Sequence, residues 1–257
     1  MEIYLPTDAN SLNSADQLYD IPAFGNVSLL HFTDCHAQLL PIYYREPSIN
    51  LGVGSAEGKV PHLVGVSLLD GGDSWQGSAT ALWTAGQDMV EASLELGVDV
   101  MTGHWEFTYG AERVLHVVRN GFKDKVAFIA QNIVHEDSAD PVFERYVIRE
   151  QNGIPVAIIG QAFPYTPKAN GAQFTPDWEF GIDEARLQAV ADEVRNKGAQ
   201  VVVLLSHNGM DIDLKLAARL SGIDMILGGH THDGVPVPSV VQNPGGATIV
   251  TNAGSHG

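Results

Sequence analysis

Two aspartates and five histidines recur along the chain in short polar segments, most of them directly after an apolar run. They are Asp34, His36, Asp73, His104, His207, His230 and His232. Carboxylates and imidazoles bind divalent transition metals, but seven ligands are too many for one zinc ion, which usually takes four. They suit two ions that share a bridging carboxylate. Such a site activates water, so the ligand set predicts a metal-dependent hydrolase.

Each of these residues has an ordinary alternative when it is taken alone. A single histidine after a strand is more often structural than metal-binding, and the Gly-Gly-Asp-Ser sequence at 71–74 is typical of a turn. The joint pattern favours a metal site, because repeated Gly/His/Asp corners after apolar strands are hard to explain as independent turns. Histidines without this setting are expected to be structural or surface residues: His31, His62, His116 and His135.

Alternating apolar runs and helical periods predict the elements that must position these ligands. Strands are predicted at 27–32, 66–69, 98–101, 126–130, 143–148, 156–160, 201–205, 224–227, 235–241 and 247–251, and helices at 87–96, 111–119, 183–197 and 212–220. Asn152-Gly153 predicts a tight hairpin. The alternation predicts an α/β layered fold with a largely parallel core. In such sheets ligands bind beyond the carboxyl ends of the strands, which is where the candidate ligands fall.

Composition limits the partners of the protein. The 257 residues carry a net charge of −17, which argues against nucleic acid or an anionic membrane as a partner. An anionic substrate is still compatible, because two divalent ions with their ligands and a hydroxide leave a local charge of about +1. The single cysteine, Cys35, excludes an intrachain disulfide framework and is expected to be a small packed residue beside the site. Residues 1–20 lack the basic and apolar regions of a signal peptide.

The ligand segments resemble the calcineurin-like metallophosphoesterases. That family reads Asp-x-His, Gly-Asp, Gly-Asn-His-Glu/Asp, a lone His and Gly-His-x-His, and the chain matches four of these five blocks. Within the 5′-nucleotidase branch, segments 34–39, 71–84 and 103–110 are most similar to the SoxB thiosulfohydrolases of sulfur oxidation. The resemblance runs from about Val27 to the end of the chain. It implies a layered α/β/β/α sandwich with the metallophosphoesterase-like arrangement of ligands.

The resemblance also implies roles for individual residues. Asp34, His36 and His232 would hold the first ion, His104, His207 and His230 the second, and Asp73 would bridge them. Manganese is the implied metal, although the ligand types alone also allow zinc or iron. Water activated by the ions would attack the sulfur of a terminal sulfonate carried on a cysteine, so that sulfate leaves and a persulfide stays. The implied setting is periplasmic, and the implied partner is the SoxYZ carrier protein.

The chain departs from the family pattern at positions 104–105. Most members have Asn and His where this chain has His104 and Trp105. His104 can replace the asparagine as a neutral ligand, but the indole of Trp105 offers only an N–H and cannot act as a general acid. A basic alkoxide leaving group needs that acid. A sulfur leaving group does not, since even a plain thiol has a pKa of about 8.5. We therefore expect Asp73, His104 and Trp105 to form the catalytic set of a sulfohydrolase.

The domain prediction has two parts, an irregular lead-in at 1–26 and a dinuclear metallohydrolase domain at 27–257. Against the family, the crossover at 40–65 looks shortened, and the C-terminal substrate-binding domain is expected to be absent. The region that matches His256 lies close to the site in relatives. Two alternatives stay open: a nucleotidase or other phosphomonoesterase on the same metal site, and a catalytically silent metal-binding fragment.

Overall fold

The computed structural model describes residues 25–39, 44–46, 49–51 and 66–255. The lead-in predicted at 1–26 falls almost entirely outside these residues, as do His62, His256 and most of the 40–65 segment, where a shortened crossover is expected. Strands β2 (Tyr44–Glu46) and β3 (Ile49–Leu51) form a small antiparallel pair. None of the helices in the described part of the chain combines the length and the apolarity that a membrane crossing requires.

The first main sheet is parallel throughout. It consists of β1 (Ser28–Phe32), β4 (Val66–Asp70), β5 (Val100–Met101) and β6 (Ala127–Phe128), in the order β1-β4-β5-β6. Phe32 pairs with Asp70, and Asp70 pairs with Met101. The chain therefore leaves β1, β4 and β5 at the same edge, and the segments that carry the first four candidate ligands start there.

The second main sheet has a parallel centre and antiparallel edges. Its order is β13-β14-β12-β11-β9-β8. The strands are β8 (Tyr146–Gln151), β9 (Ile154–Gln161), β11 (Val201–Ser206), β12 (Met225–Gly228), β13 (Ser239–Asn243) and β14 (Gly246–Asn252). Strands β9, β11, β12 and β14 run parallel. The carboxyl ends of β11 and β12 deliver His207, His230 and His232.

Alternation along the central strands produces two packed interfaces. Ile158 and Val203 face the first sheet and pack with Leu69 in one apolar cluster between the sheets, while Ala157 and Ile159 face outward against helices. The helices are α1 (Ala79–Thr84), α2 (Gln87–Leu96), α3 (Ala111–His116), α4 (Thr166–Asn170), α5 (Glu184–Asn196) and α6 (Met210–Arg219). Helices α2 and α3 pack on the first sheet, and α5 and α6 on the second. The expected α/β/β/α layering is confirmed.

Several boundaries differ from the predicted ones. The helix predicted at 111–119 is α-helical only to His116 and continues as a π turn over Val117–Gly121. The strand predicted at 235–241 is β13, which begins only at Ser239. A short antiparallel pair, β7 (Ile133–His135) with β10 (Trp178–Phe180), was not predicted. The Asn152-Gly153 hairpin is confirmed, with φ values of 49° and 80° between β8 and β9.

Candidate dinuclear metal site

The structure brings all seven predicted ligands together in two adjoining groups. We call Asp34, His36, Asp73 and His232 the carboxylate half-site, and His104, His207 and His230 the imidazole half-site. Within each group the ligand atoms lie within 4.8 Å of one another. In the described part of the chain, His31, His116 and His135 belong to neither group. The division matches the sets that the family resemblance implied for two ions.

Both aspartates of the carboxylate half-site also contact histidines of the imidazole half-site. Asp73 Oδ2 lies 3.1 Å from Nδ1 of His104 and 3.6 Å from Nε2 of His36. Asp34 Oδ1 lies 3.2 Å from Nε2 of His232 and 3.5 Å from Nε2 of His207. The predicted bridging position of Asp73 thus agrees with its contacts, and Asp34 contacts both groups as well.

Unpaired buried atoms show that these residues fit a pair of divalent ions. Oδ1 of Asp73, Nε2 of His104 and Nε2 of His207 are buried and have no hydrogen-bond partner. Buried polar atoms are nearly always paired. Unpaired carboxylate oxygens and imidazole nitrogens that converge on one place are what a divalent metal site requires, because nitrogen and oxygen atoms are its ligands.

The backbone of the ligand loops is held in an unfavourable conformation. Five of the seven ligands have positive φ angles between 50° and 77°: Asp34, His36, Asp73, His230 and His232. A left-handed non-glycine residue costs about 1 kcal/mol or more, and such strain concentrates at functional sites. Hydrogen bonds between the loops offset this cost. The amide of Asp34 donates to the carbonyl of Gly72, and the amide of His230 donates to Asp34 Oδ2, both at 2.9 Å.

Glycine is required beside the ligands because neighbouring side chains approach the backbone too closely to leave room for a Cβ. A Cβ at Gly229 would lie 2.4 Å from Oγ1 of Thr33 and 2.9 Å from Nδ1 of His207. The carbonyl of Gly71 lies 2.7 Å from that same Nδ1, so the Nδ1–H tautomer of His207 donates to it. This hydrogen bond leaves Nε2 of His207 free to face Asp34 and a metal ion.

The carboxyl groups of the site differ strongly in acidity. Burial would raise the pKa of Asp34, but His207, His232, Thr33 and the His230 amide together lower it to about 2. Burial, helped by the charges of Glu106 and Asp34, raises the pKa of Asp73 to about 9. Without ions Asp73 is therefore protonated at neutral pH, and an ion takes the place of that proton.

The imidazoles also divide by half-site. Burial and the neighbouring His207 lower the pKa of His104 well below its usual range and that of His230 to about 4. A hydrogen bond to Asp34 raises the pKa of His232. His104 and His230 are thus neutral and ready to bind a cation at any ordinary pH, whereas His232 holds a proton more readily than an ordinary imidazole.

Two residues at the site were not predicted. The ring of Phe163 lies 4.1 Å from the ring of His230 and 4.2 Å from that of His104, so it packs against the imidazole half-site. Its only sequence signal is that it follows a strand, β9, as the ligands do. Glu106, in the 103–110 segment, lies buried behind the Asp73 loop and accepts hydrogen bonds from its amides.

Trp105 lies on the rim of the site. Its ring centroid is 5.8 Å from that of His104 in an edge-to-face arrangement, and the residue is 36% exposed. The indole of Trp105 is thus partly open to solvent, in contrast to the fully buried ring of Trp75.

Comparisons with known proteins place this geometry in context. The sulfate thiohydrolase SoxB of Thermus thermophilus, solved with glycerol, superposes with a TM-score of 0.81 and 32% identity, over 93% of this chain and 53% of that one. A 5′-nucleotidase precursor from the same organism gives a TM-score of 0.74 and 26% identity, over 90% and 49% of the two chains. The snake venom 5′-nucleotidase of Naja atra is 27% identical over 65% of this chain and 32% of its own length. No protein-family model matches the chain.

The solved relatives agree with the two-sheet fold. The chain spans about half the length of the solved relatives and about a third of the curated one. The similarities in sequence and fold support the assignment of the chain to the SoxB-like calcineurin-like phosphoesterases of the 5′-nucleotidase family.

Proposed function

We propose that this chain is the metal domain of a hydrolase that releases sulfate from an S-thiosulfonate carried on a protein cysteine. The observation that carries the proposal is Trp105 beside His104, at the position where the family's phosphoesterases place a general acid. The similarity to SoxB, at 32% identity, supports it. The activity of that relative belongs to a chain about twice as long.

The reaction needs water and no redox partner. One S–S bond, between the sulfonate and the sulfane sulfur attached to the carrier cysteine, breaks, one S–O bond to the oxygen of water forms, and the protons of that water pass to solvent. Sulfate leaves with the sulfonate oxygens, and the electron pair of the broken bond stays on a persulfide. Two divalent ions, when bound, supply the Lewis acidity that activates water and offsets the charge of the sulfonate.

The residues around the ions explain why this leaving group is suitable. Trp105 can donate only an indole hydrogen bond, so no proton is delivered from that position. A persulfide leaves without protonation much more readily than an alkoxide, because sulfur anions are weak bases. The exposed face of the indole can pack against the carrier arm that bears the substrate.

The remaining assignments follow from the same similarity. We propose manganese as the resident metal, the periplasm as the location and the SoxYZ carrier as the partner. The −17 net charge of the chain is consistent with a carrier protein rather than a nucleic acid as partner.

The test is sulfate release from a carrier cysteine bearing the S-thiosulfonate, using manganese-loaded protein of known metal content. We expect release that Asp73→Ala abolishes and that Asp192→Ala, at an exposed helical position, leaves unchanged. A chain that holds two ions and releases no sulfate would contradict the proposal for this chain.

A phosphomonoesterase is the second candidate, because the curated relatives include 5′-nucleotidases. The double variant with His104→Asn and Trp105→His restores the family's ligand and acid. Under the main proposal, this variant gains activity on a nucleoside monophosphate that the parent chain lacks. Strong phosphatase activity in the parent chain, or no gain in the double variant, would favour the second candidate or refute the leaving-group argument.

A catalytically silent metal-binding fragment is the third candidate. It is favoured if two bound ions are accompanied by no turnover of either substrate class.

A further inference from the structure

Glu106 is a buried carboxylate that accepts hydrogen bonds from four backbone amides. Its Oε1 accepts from Ser74 at 2.7 Å and from Trp75 at 3.1 Å. Its Oε2 accepts from Asp73 at 3.2 Å and from His104 at 2.6 Å. The residue lies in the short 3₁₀ turn Trp105–Tyr109 and has no solvent exposure.

Oε2 of Glu106 connects the backbones of two candidate ligands, Asp73 and His104. The amides of Asp73, Ser74 and Trp75 are consecutive and converge on one carboxylate, which makes this loop an anion-binding nest occupied by a side chain of the same protein. The nest helps to hold Asp73 at its φ of 60°. Because Oε2 also accepts from the His104 amide, it fixes the separation between the bridging carboxylate and a ligand of the imidazole half-site.

Two other buried carboxyl groups provide a comparison. Asp70 accepts from the amide of Gly72 and the hydroxyl of Ser74, neither of which belongs to a ligand. Asp213 accepts only from the side chains of Ser206 and Asn208. Among these three acids, Glu106 alone bonds the backbone of ligands, and it bonds two of them.

We infer that Glu106 is a positioning residue that sets the spacing between Asp73 and His104. It thereby sets the affinity of the metal ion at the imidazole half-site. The inference rests on the proposed dinuclear site but not on the identity of the substrate. Glu106 lies behind the loops and belongs to neither ligand group, so its effect passes through the backbone of the two ligands.

The test compares Glu106→Gln with Asp213→Asn in the full metal-free chain, titrated calorimetrically with Mn²⁺. Both substitutions replace a fully buried acid by an amide of the same shape. In Glu106→Gln an NH₂ group faces two backbone amides. We therefore expect Mn²⁺ at the imidazole half-site to bind about tenfold to a hundredfold more weakly, as for other residues that orient ligands. The affinity for Mn²⁺ at the carboxylate half-site should change much less. Asp213→Asn should leave both affinities unchanged.

The conservative variant Glu106→Asp keeps the charge, and we expect it to recover part of the lost affinity. It also guards against a Gln variant that fails to fold: a folded Asp variant, judged by its urea midpoint, with wild-type affinity for the second ion would overturn the inference. Unchanged affinities in Glu106→Gln, or equal losses in Glu106→Gln and Asp213→Asn, would overturn it too. Sulfate release plays no part in the readout, so a chain that binds two ions without turnover contradicts the proposed function only.

Discussion

The two half-sites differ in charge and in exposure. The carboxylate half-site contains both aspartates, and the side chains of His36 and His232 are 24% and 33% exposed. The imidazole half-site contributes three rings and no carboxylate; His104 is 3% exposed, His207 is fully buried and His230 is partly buried. One group is acidic and more open to water, and the other has no acidic side chain and is mostly buried.

This difference determines what a metal ion must displace at each place. At the carboxylate half-site an ion competes with protons, because the pKa of Asp73 is raised to about 9 by burial and that of His232 is raised by Asp34. At the imidazole half-site the low pKa values of His104 and His230 leave no proton to remove. Ion affinity should therefore rise with pH mainly at the carboxylate half-site.

The largest expected effect comes from removing the residue that the half-sites share. Asp73→Ala should lower the metal content from two ions per chain to none, because Asp73 contacts ligands of both groups. Turnover should fall by about 100- to 1000-fold or more, on the scale of losing a principal electrostatic group. Elemental analysis of the purified variant checks this, and two retained ions would show that Asp73 does not bridge.

Removing one ligand from each half-site separates the two. His207→Ala should leave one ion per chain, bound at the carboxylate half-site, and His36→Ala should leave one at the imidazole half-site. Paramagnetic Mn²⁺ spectra distinguish a coupled pair from single ions in each variant. If both variants lost both ions, the half-sites would be one cooperative unit and the comparison drawn above would not hold.

Metal-free protein should lose stability as pH rises from 6.5 to 9. Burial raises the pKa of Asp73 to about 9, of Asp70 to about 8 and of Asp213 to about 7, so the folded state binds protons that the unfolded state has released. The stability that these protons provide is lost as pH rises through those values. The lowered pKa of His230 acts only below about 6.5, where the unfolded imidazole gains a proton.

Urea midpoints of metal-free and Mn²⁺-saturated protein across this range provide the measurement. Saturation with Mn²⁺ should reduce the slope, because the ion replaces the proton on Asp73. Asp213→Asn should reduce it in the metal-free protein. A flat or rising midpoint in the metal-free protein would contradict the protonated state assigned to Asp73.

Phe163 should matter for the imidazole half-site alone. Phe163→Ala removes the ring that packs against His104 and His230, and a loss of about 3 kcal/mol in the free energy of unfolding is expected for a buried phenylalanine. Mn²⁺ should bind more weakly at the imidazole half-site, and its affinity at the carboxylate half-site should be unchanged. Val134→Ala, at an equally buried position in β7, is a control for general loss of packing.

The smallest effect on stability is expected at Trp105. Since the side chain is partly exposed on the rim, Trp105→Ala should change the free energy of unfolding by only about 0.5 kcal/mol and leave both ions bound. Its effect should fall on the KM for the carrier-bound substrate. An unchanged KM would remove Trp105 from substrate binding.

The clustering of the candidate ligands could be predicted because each ligand segment is recognisable locally and because the direction of the strands brings these segments together. Each ligand follows an apolar run, and parallel strands deliver the ends of such runs to one edge of a sheet. The hairpin at Asn152-Gly153 could be predicted for a similar reason, since the turn chemistry is contained in two residues. The division into two half-sites came from the family resemblance, and the contacts agree with it.

The supporting residues could not be predicted, because their partners are distant in sequence. Glu106 bonds amides 31 to 33 positions away, and although the family motif ends in Glu or Asp at this position, the segment itself does not indicate these partners. Phe163 is an ordinary core residue by type. Helix α1 has a local start signal, the Ser78 cap on Ala81, but its six residues are too few for a helical period to be recognised.

The carboxylate half-site joins the first described strand of the main sheets to a loop near the end of the chain. His36 and His232 lie 196 residues apart in sequence, with their Nε2 atoms 3.0 Å apart. An ion held by both acts as a cross-link that closes this long loop, and such clips restrict the unfolded chain most when the loop is long. Contacts of this separation also form late in folding, because loop-closure entropy opposes them. Metal uptake should therefore mark the last step of folding, and chelation should accelerate unfolding of both sheets together.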